Sequence, residues 1–92
     1  MATPVKEDPV ITQTLVHHLT LDQLAPGESA VIVDVDAGAP MGRRLLDVGI
    51  APGVRARVIR RAPLGDPMEI CLPDMLVSLR SYEAALVRVQ FD

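Results

Sequence analysis

From Glu28 onward, apolar and polar residues alternate in short runs that proline and glycine interrupt, the pattern of short half-buried strands. Glu28 to Asp36 reads as the first strand. Val31, Val33 and Val35 share one face and Asp34 and Asp36 the other, while Ile32 breaks the alternation, so both faces are expected to be partly covered. Val54 to Ile59 is the second, with Val54, Ala56 and Val58 inward and Arg55 and Arg57 outward. Met68 to Leu72 is the third, with Met68, Ile70 and Leu72 on one face and Glu69 and Cys71 on the other. Arg57 opposite Glu69 or its neighbours would make a cross-strand ion pair of small worth at a surface. Met75 to Leu79 and Leu86 to Phe91 complete the set, and Val87, Val89 and Phe91 share a face.

Two departures from this alternation read as helix. Over Met41 to Val48 the residues Met41, Leu45 and Val48 form one stripe expected to face the core. Arg43, Arg44 and Asp47 lie opposite, with Arg43 able to pair with Asp47 at i,i+4. Leu46 belongs to neither group. Pro40 starts this helix, and Gly49 with Pro52 ends it. Thr20-Leu21-Asp22-Gln23 matches a capping box opening a single turn that Pro26-Gly27 stops, so Leu19, Leu21 and Leu24 should close one end of the core. Ser81 to Ala84 reads as another single turn. The fold class is therefore mainly β: a small barrel of about five strands, one short inserted helix and one or two single-turn helices.

The chain is organised around Arg60-Arg61-Ala62-Pro63-Leu64-Gly65-Asp66-Pro67, which joins the second and third strands. Neither proline has a backbone N–H, so ladder pairing should stop near Ala62 and Met68. Gly65 suits a positive-φ turn position, and Asp66 can bond its own following backbone. Leu64 is a large apolar side chain at a stiff tip. It either plugs the barrel end or contacts a partner.

Composition narrows the choices. Ninety-two residues make one domain, expected at residues 19–92 behind an extended, partly disordered arm at residues 1–18. With Tyr82 and Phe91 as the only aromatics, the core is built from Val, Leu, Ile, Met and Ala, and a domain this small gains from self-association. Cys71 is alone, so no internal disulfide forms, which fits a reducing cytoplasm. No run is long enough to span a membrane, and no signal peptide is evident. The net charge of −3 opposes a dedicated nucleic-acid binder, although six arginines and one acid, Asp47, lie between Arg43 and Arg61. That band with few aromatics reads as a solvated face before it reads as a nucleic-acid site. His17, His18, Cys71, Asp66 and Asp74 are the candidate ligands of a metal carrier, but their spacing offers no chelate. Asp34 and Asp36 read as a solvated strand face rather than a metal pair. No phosphate-binding glycine loop or nucleophile–base pair appears, so no enzyme and no cofactor is implied.

Three segments in order resemble the FeoA family. They are Leu21-Asp22-Gln23-Leu24-Ala25-Pro26-Gly27-Glu28, Arg43-Arg44-Leu45-Leu46-Asp47-Val48-Gly49-Ile50-Ala51-Pro52-Gly53, and Ala62-Pro63-Leu64-Gly65-Asp66-Pro67 leading to Leu79-Arg80 and Glu83-Ala84. The resemblance spans about residues 19 to 90. It implies an SH3-like barrel and a non-enzymatic, cytosolic accessory of ferrous iron uptake that binds FeoB, the membrane transporter with a cytosolic GTP-binding domain. The same domain type ends DtxR-type iron-dependent repressors, but Met1 to His18 is too short for their DNA-binding part. The expected contact residues are Leu64, Gly65, Asp66 and Pro67 of the hairpin and Arg43, Arg44 and Leu46 of the helix.

Overall fold

A computed structural model describes residues 19–91. The expected arm, with His17 and His18, lies outside them. The chain makes a 3-10 turn at Leu21–Gln23, strand β1 at Ser29–Val35, helix α1 at Pro40–Asp47, β2 at Arg55–Arg61, β3 at Met68–Cys71 and β4 at Leu76–Leu79. The single turn α2 at Ser81–Ala84 and strand β5 at Val87–Gln90 follow. All neighbours are antiparallel in one sheet ordered β4-β3-β2-β1-β5. Leu19 and Thr20 extend this order past β5, where the Val89 N–H donates to the Leu19 carbonyl at 2.9 Å.

The sheet curls around an aliphatic core. Leu21, Leu24, Ile32, Ile50, Val58, Met68, Ile70, Val87 and Val89 are its largest fully enclosed side chains. Each such side chain contributes about 1.5–3 kcal/mol by leaving water. Leu21 and Leu24 sit where the capping box places them, closing the barrel end, with Leu19 packed against the same cluster. The Thr20 N–H donates to Gln23 Oε1 at 2.8 Å, one half of the expected box, while the Thr20 hydroxyl turns to the Asp22 carboxylate.

Two β-bulges change which residues face inward. In β1, Ile32 pairs with Val89 and Asp34 with Arg88, so Val33 is an extra residue without an opposite number. The buried face is therefore Ala30, Ile32 and Val35. Val33 is exposed and Val31 half-buried, which corrects the expected valine face. In β2, Val58 pairs with Ile70 and Arg60 with Glu69, leaving Ile59 as the extra residue. Glu69 is thereby paired with Arg60 at 3.2 Å, and Arg57 instead faces Cys71. The expected Arg57–Glu69 pair does not form because Arg57 lies two positions away in the ladder, opposite Cys71, and the bulge brings Arg60 rather than Ile59 opposite Glu69. The same shift brings Arg61, not Arg60, into phase with Ala56 and Val58.

Helix α1 also turns a different stripe inward from the one its apolar spacing suggests. Leu45 is buried and Leu46 packs against the core, but Val48 is nearly half exposed. The reason is Gly42. A Cβ there would lie 1.8 Å from the Asp36 carbonyl oxygen, so the helix leans its bare backbone on the end of β1 and rolls Leu46 inward. Ile50 N–H bonds to the Leu45 carbonyl at 3.0 Å and Gly49 N–H to that of Leu46 at 3.1 Å. This Schellman closure carries the chain into the core at Ile50. Arg43 and Asp47 form no ion pair among the described residues; both remain exposed.

Candidate functional site

The β2–β3 loop is held by polar bonds at its base and leaves its tip in water. Ala62 N–H donates to the Pro67 carbonyl at 2.9 Å, the last rung of the ladder, as the two prolines lead one to expect. Gly65 N–H then closes the turn on the Ala62 carbonyl at 2.7 Å. Gly65 has φ +93°, a conformation costly for a residue with a Cβ. The Asp66–Pro67 peptide is cis.

Two side chains tie this loop to distant parts of the chain. Arg61, turned inward by the bulge at Ile59, reaches the 3-10 turn. Its guanidinium donates to the carbonyls of Asp22 and, at 3.2 Å, Leu24, and to the Gly65 carbonyl at 3.4 Å. These acceptors are carbonyls that a short turn leaves without helical partners. Asp66 does not fold back on its own backbone, as its turn position alone suggests. Its Oδ1 instead accepts the Ser81 N–H and the Ser81 hydroxyl, each at 2.8 Å, and so caps α2. These bonds from Ser81, together with the positive charges of Arg80 and Arg61, hold the Asp66 carboxyl below its ordinary value.

Leu64 stands at the tip with 97% of its surface in water. It is not a barrel plug: that role belongs to Leu21 and Leu24. The bonds of Arg61 and Asp66 fix the loop at both shoulders, so the fold sets where this leucine stands.

The other expected site residues are arranged differently. Arg43 and Arg44 are exposed on α1 and make no described bond. Leu46 packs against the core beneath them. Beside Arg44, α1 and β4 enclose a groove of about 400 Å³, lined by Met41, Leu45, Val48, Met75, Val77 and Leu79 among others. No local pattern announces it, because its two walls, Met41 to Val48 and Met75 to Leu79, are far apart in the chain. Among the candidate metal ligands, Asp66 is committed to Ser81, Asp74 is exposed, and the half-buried Cys71 thiol lies 3.6 Å from the Leu72 carbonyl. Among the described residues, no three His, Cys, Asp or Glu side chains gather in a way that could hold a metal ion. Asp34 is paired with Arg88 at 2.6 Å, which lowers its carboxyl below the ordinary value. None of the described helices is long and apolar enough to cross a membrane.

Comparison with known proteins agrees with this architecture. A fusion of Fe(2+) transport protein A with the Fe(2+) transporter FeoB from Porphyromonas gingivalis is 36% identical over 72 residues. The match takes in 78% of this chain but spans only 8% of that relative's length. The solution structure of FeoA from Chlorobium tepidum is 38% identical, with a TM-score of 0.71 over 79% of this chain and 70% of the other. The zinc-complexed FeoA of Stenotrophomonas maltophilia, described as a prokaryotic SH3 domain protein, is 30% identical, with a TM-score of 0.70 over 78% of this chain and 89% of the other. The five-stranded fold is accordingly SH3-like, mainly β with short helices, as the motif order implies. The FeoA domain model matches residues 19–90, and on that match this chain belongs to the FeoA family, which is linked to ferrous iron transport.

Proposed function

We propose that this chain is a non-enzymatic accessory of ferrous iron uptake that acts in the cytoplasm by docking on the GTP-binding cytosolic part of a FeoB-type transporter. The observation that carries the reading is the 97% exposure of Leu64 on a loop pinned by Arg61 and Asp66. A leucine costs free energy in water, and the fold spends two long-range polar anchors to keep it there. The covalent joining of a FeoA-like segment to a transporter in the Porphyromonas gingivalis relative supports the choice of partner. In this reading Leu64 is the anchor. Gly65, Asp66 and Pro67 hold it in place, Arg43 and Arg44 form a charged rim on α1, and Leu46 supports that helix from the core side.

The test is capture of the transporter's purified cytosolic domain by the full chain, with GTP, with GDP and without nucleotide, beside the Leu64→Asp variant. Saturable capture that Leu64→Asp abolishes supports the reading. Absence of capture under all three conditions, or capture unaffected by Leu64→Asp, would overturn it.

A further inference from the structure

The groove between α1 and β4 has an open sheet edge as one wall. Leu72 and Met75 exchange both backbone bonds across the β3–β4 turn, at 2.8 and 3.4 Å. In the register that follows, Val77 faces Ile70 and Leu79 faces Met68 as hydrogen-bonded pairs. Leu76 and Ser78 therefore direct their N–H and C=O groups away from β3. Beyond β4 no further strand is paired among the described residues. Residues from both faces of β4, Val77 and Leu79 on one and Ser78 on the other, line the groove, so it runs along the edge itself. On the opposite wall Arg44 makes no described bond to any acid, and Arg43 stands beside it in the same state. The Glu83 carboxylate at the groove is already taken by the Arg80 N–H at 2.7 Å.

We propose that this groove takes one extended peptide segment of a partner, which adds to the β4 edge as a sixth strand. Its alternate apolar side chains rest on Met41, Val48, Met75 and Val77, and an acidic side chain meets Arg44. Each element of that occupant answers a feature of the site. The outward backbone groups of Leu76 and Ser78 need a strand, the 400 Å³ apolar floor holds two or three side chains, and an unpaired guanidinium favours a carboxylate. A second copy fits less well. Its own β4 would bring a sheet and helix to a space that α1 walls on one side, whereas a single chain slides between. The inference goes beyond docking on the transporter, and Leu64 takes no part in it.

The probe is an acetylated, amidated hexapeptide of alternating valine and threonine with one central glutamate, titrated into the ¹⁵N-labelled full chain. Saturable shifts at the Leu76 and Ser78 amides and around Val48 are expected, with affinity about tenfold weaker for Arg44→Glu and for a peptide with lysine in place of glutamate. Ser78→Pro removes the outward N–H without touching the β3 ladder and should abolish the shifts. Should that variant misfold, a peptide N-methylated along its pairing edge asks the same of the wild-type chain. No shift at millimolar peptide, or equal binding of the glutamate and lysine peptides, would overturn the proposal. So would shifts at β4 that appear on concentrating the protein alone, which would assign the groove to a second copy. The titration contains no transporter, so its failure is separate from failure of the docking reading.

Discussion

The β2–β3 loop and helix α1 each carry a leucine that local periodicity leaves without a place, and the fold treats the two in opposite ways. Leu64 is left almost entirely in water, whereas Leu46 is drawn against the core. The difference lies in how the backbone around each is anchored. Around Leu64 the anchors are polar and reach across the molecule, from Arg61 to the Leu21–Gln23 turn and from Asp66 to Ser81. They fix the loop's shoulders without offering its tip any apolar surface. Around Leu46 the anchors are close packing at Gly42 and the Schellman bonds that commit Ile50 to the core. An apolar side chain follows the backbone that carries it, and the backbone follows whichever anchors are strongest.

This contrast can be broken at several points. The largest effect is expected from Gly42→Ala, which puts a methyl group into the Asp36 carbonyl. A backbone atom cannot move aside as a side-chain tip can, so a loss of about 3 kcal/mol or more should appear in urea unfolding, with α1 displaced. Next is Arg61→Ala. It leaves the Asp22, Leu24 and Gly65 carbonyls without their donor and should cost about 2 kcal/mol. It should also speed hydrogen exchange at Gly65, because the loop loses its hold on the 3-10 turn.

A smaller effect is expected from acid. The Asp66 carboxyl titrates below its ordinary value of 3.8 in the folded chain, chiefly through its bonds from Ser81. A depressed folded value means that this stabilisation is fully present above about pH 4 and is lost as pH falls through the folded value. Asp34, lowered chiefly by its bond from Arg88, acts in the same direction. The wild type should lose stability below pH 4 more steeply than Asp66→Asn, which keeps an acceptor for Ser81 but has no proton to gain. A urea series between pH 2.5 and 6 reads the difference. An equal slope for both would remove Asp66 from the list of anchors.

How much of this could be seen in the residues alone follows from the range of the forces involved. Strand positions, the helix, both single turns and the end of the ladder at Ala62 depend on local periodicity, proline and glycine, and they are where the sequence places them. The inward faces of β2 up to Val58 and of β3 are likewise read correctly, because period-2 alternation is unbroken there. The failures cluster at the bulges. One unpaired residue at Val33 or Ile59 reverses the parity of everything beyond it, and nothing in Val-Ile-Val or Arg-Val-Ile announces which residue will be extra. Phe91 shares a face with Val87 and Val89 by alternation, yet it lies past the end of β5 and is half exposed. The α1 stripe departs from its apolar spacing for another non-local reason: Gly42 packs against Asp36, outside the helix, and Val48 turns outward. Leu64 was legible as an anomaly. Its anchors were not, since Arg61 and Ser81 find their partners only through the tertiary fold.

One of these leucines is left in water and the other is packed. Urea unfolding of Leu64→Asp and Leu46→Asp, measured side by side on the full chain, tests it directly. Leu64→Asp should stay within about 0.5 kcal/mol of wild type while Leu46→Asp should lose about 2 kcal/mol or more. Comparable losses in both, or a larger one at Leu64, would contradict it.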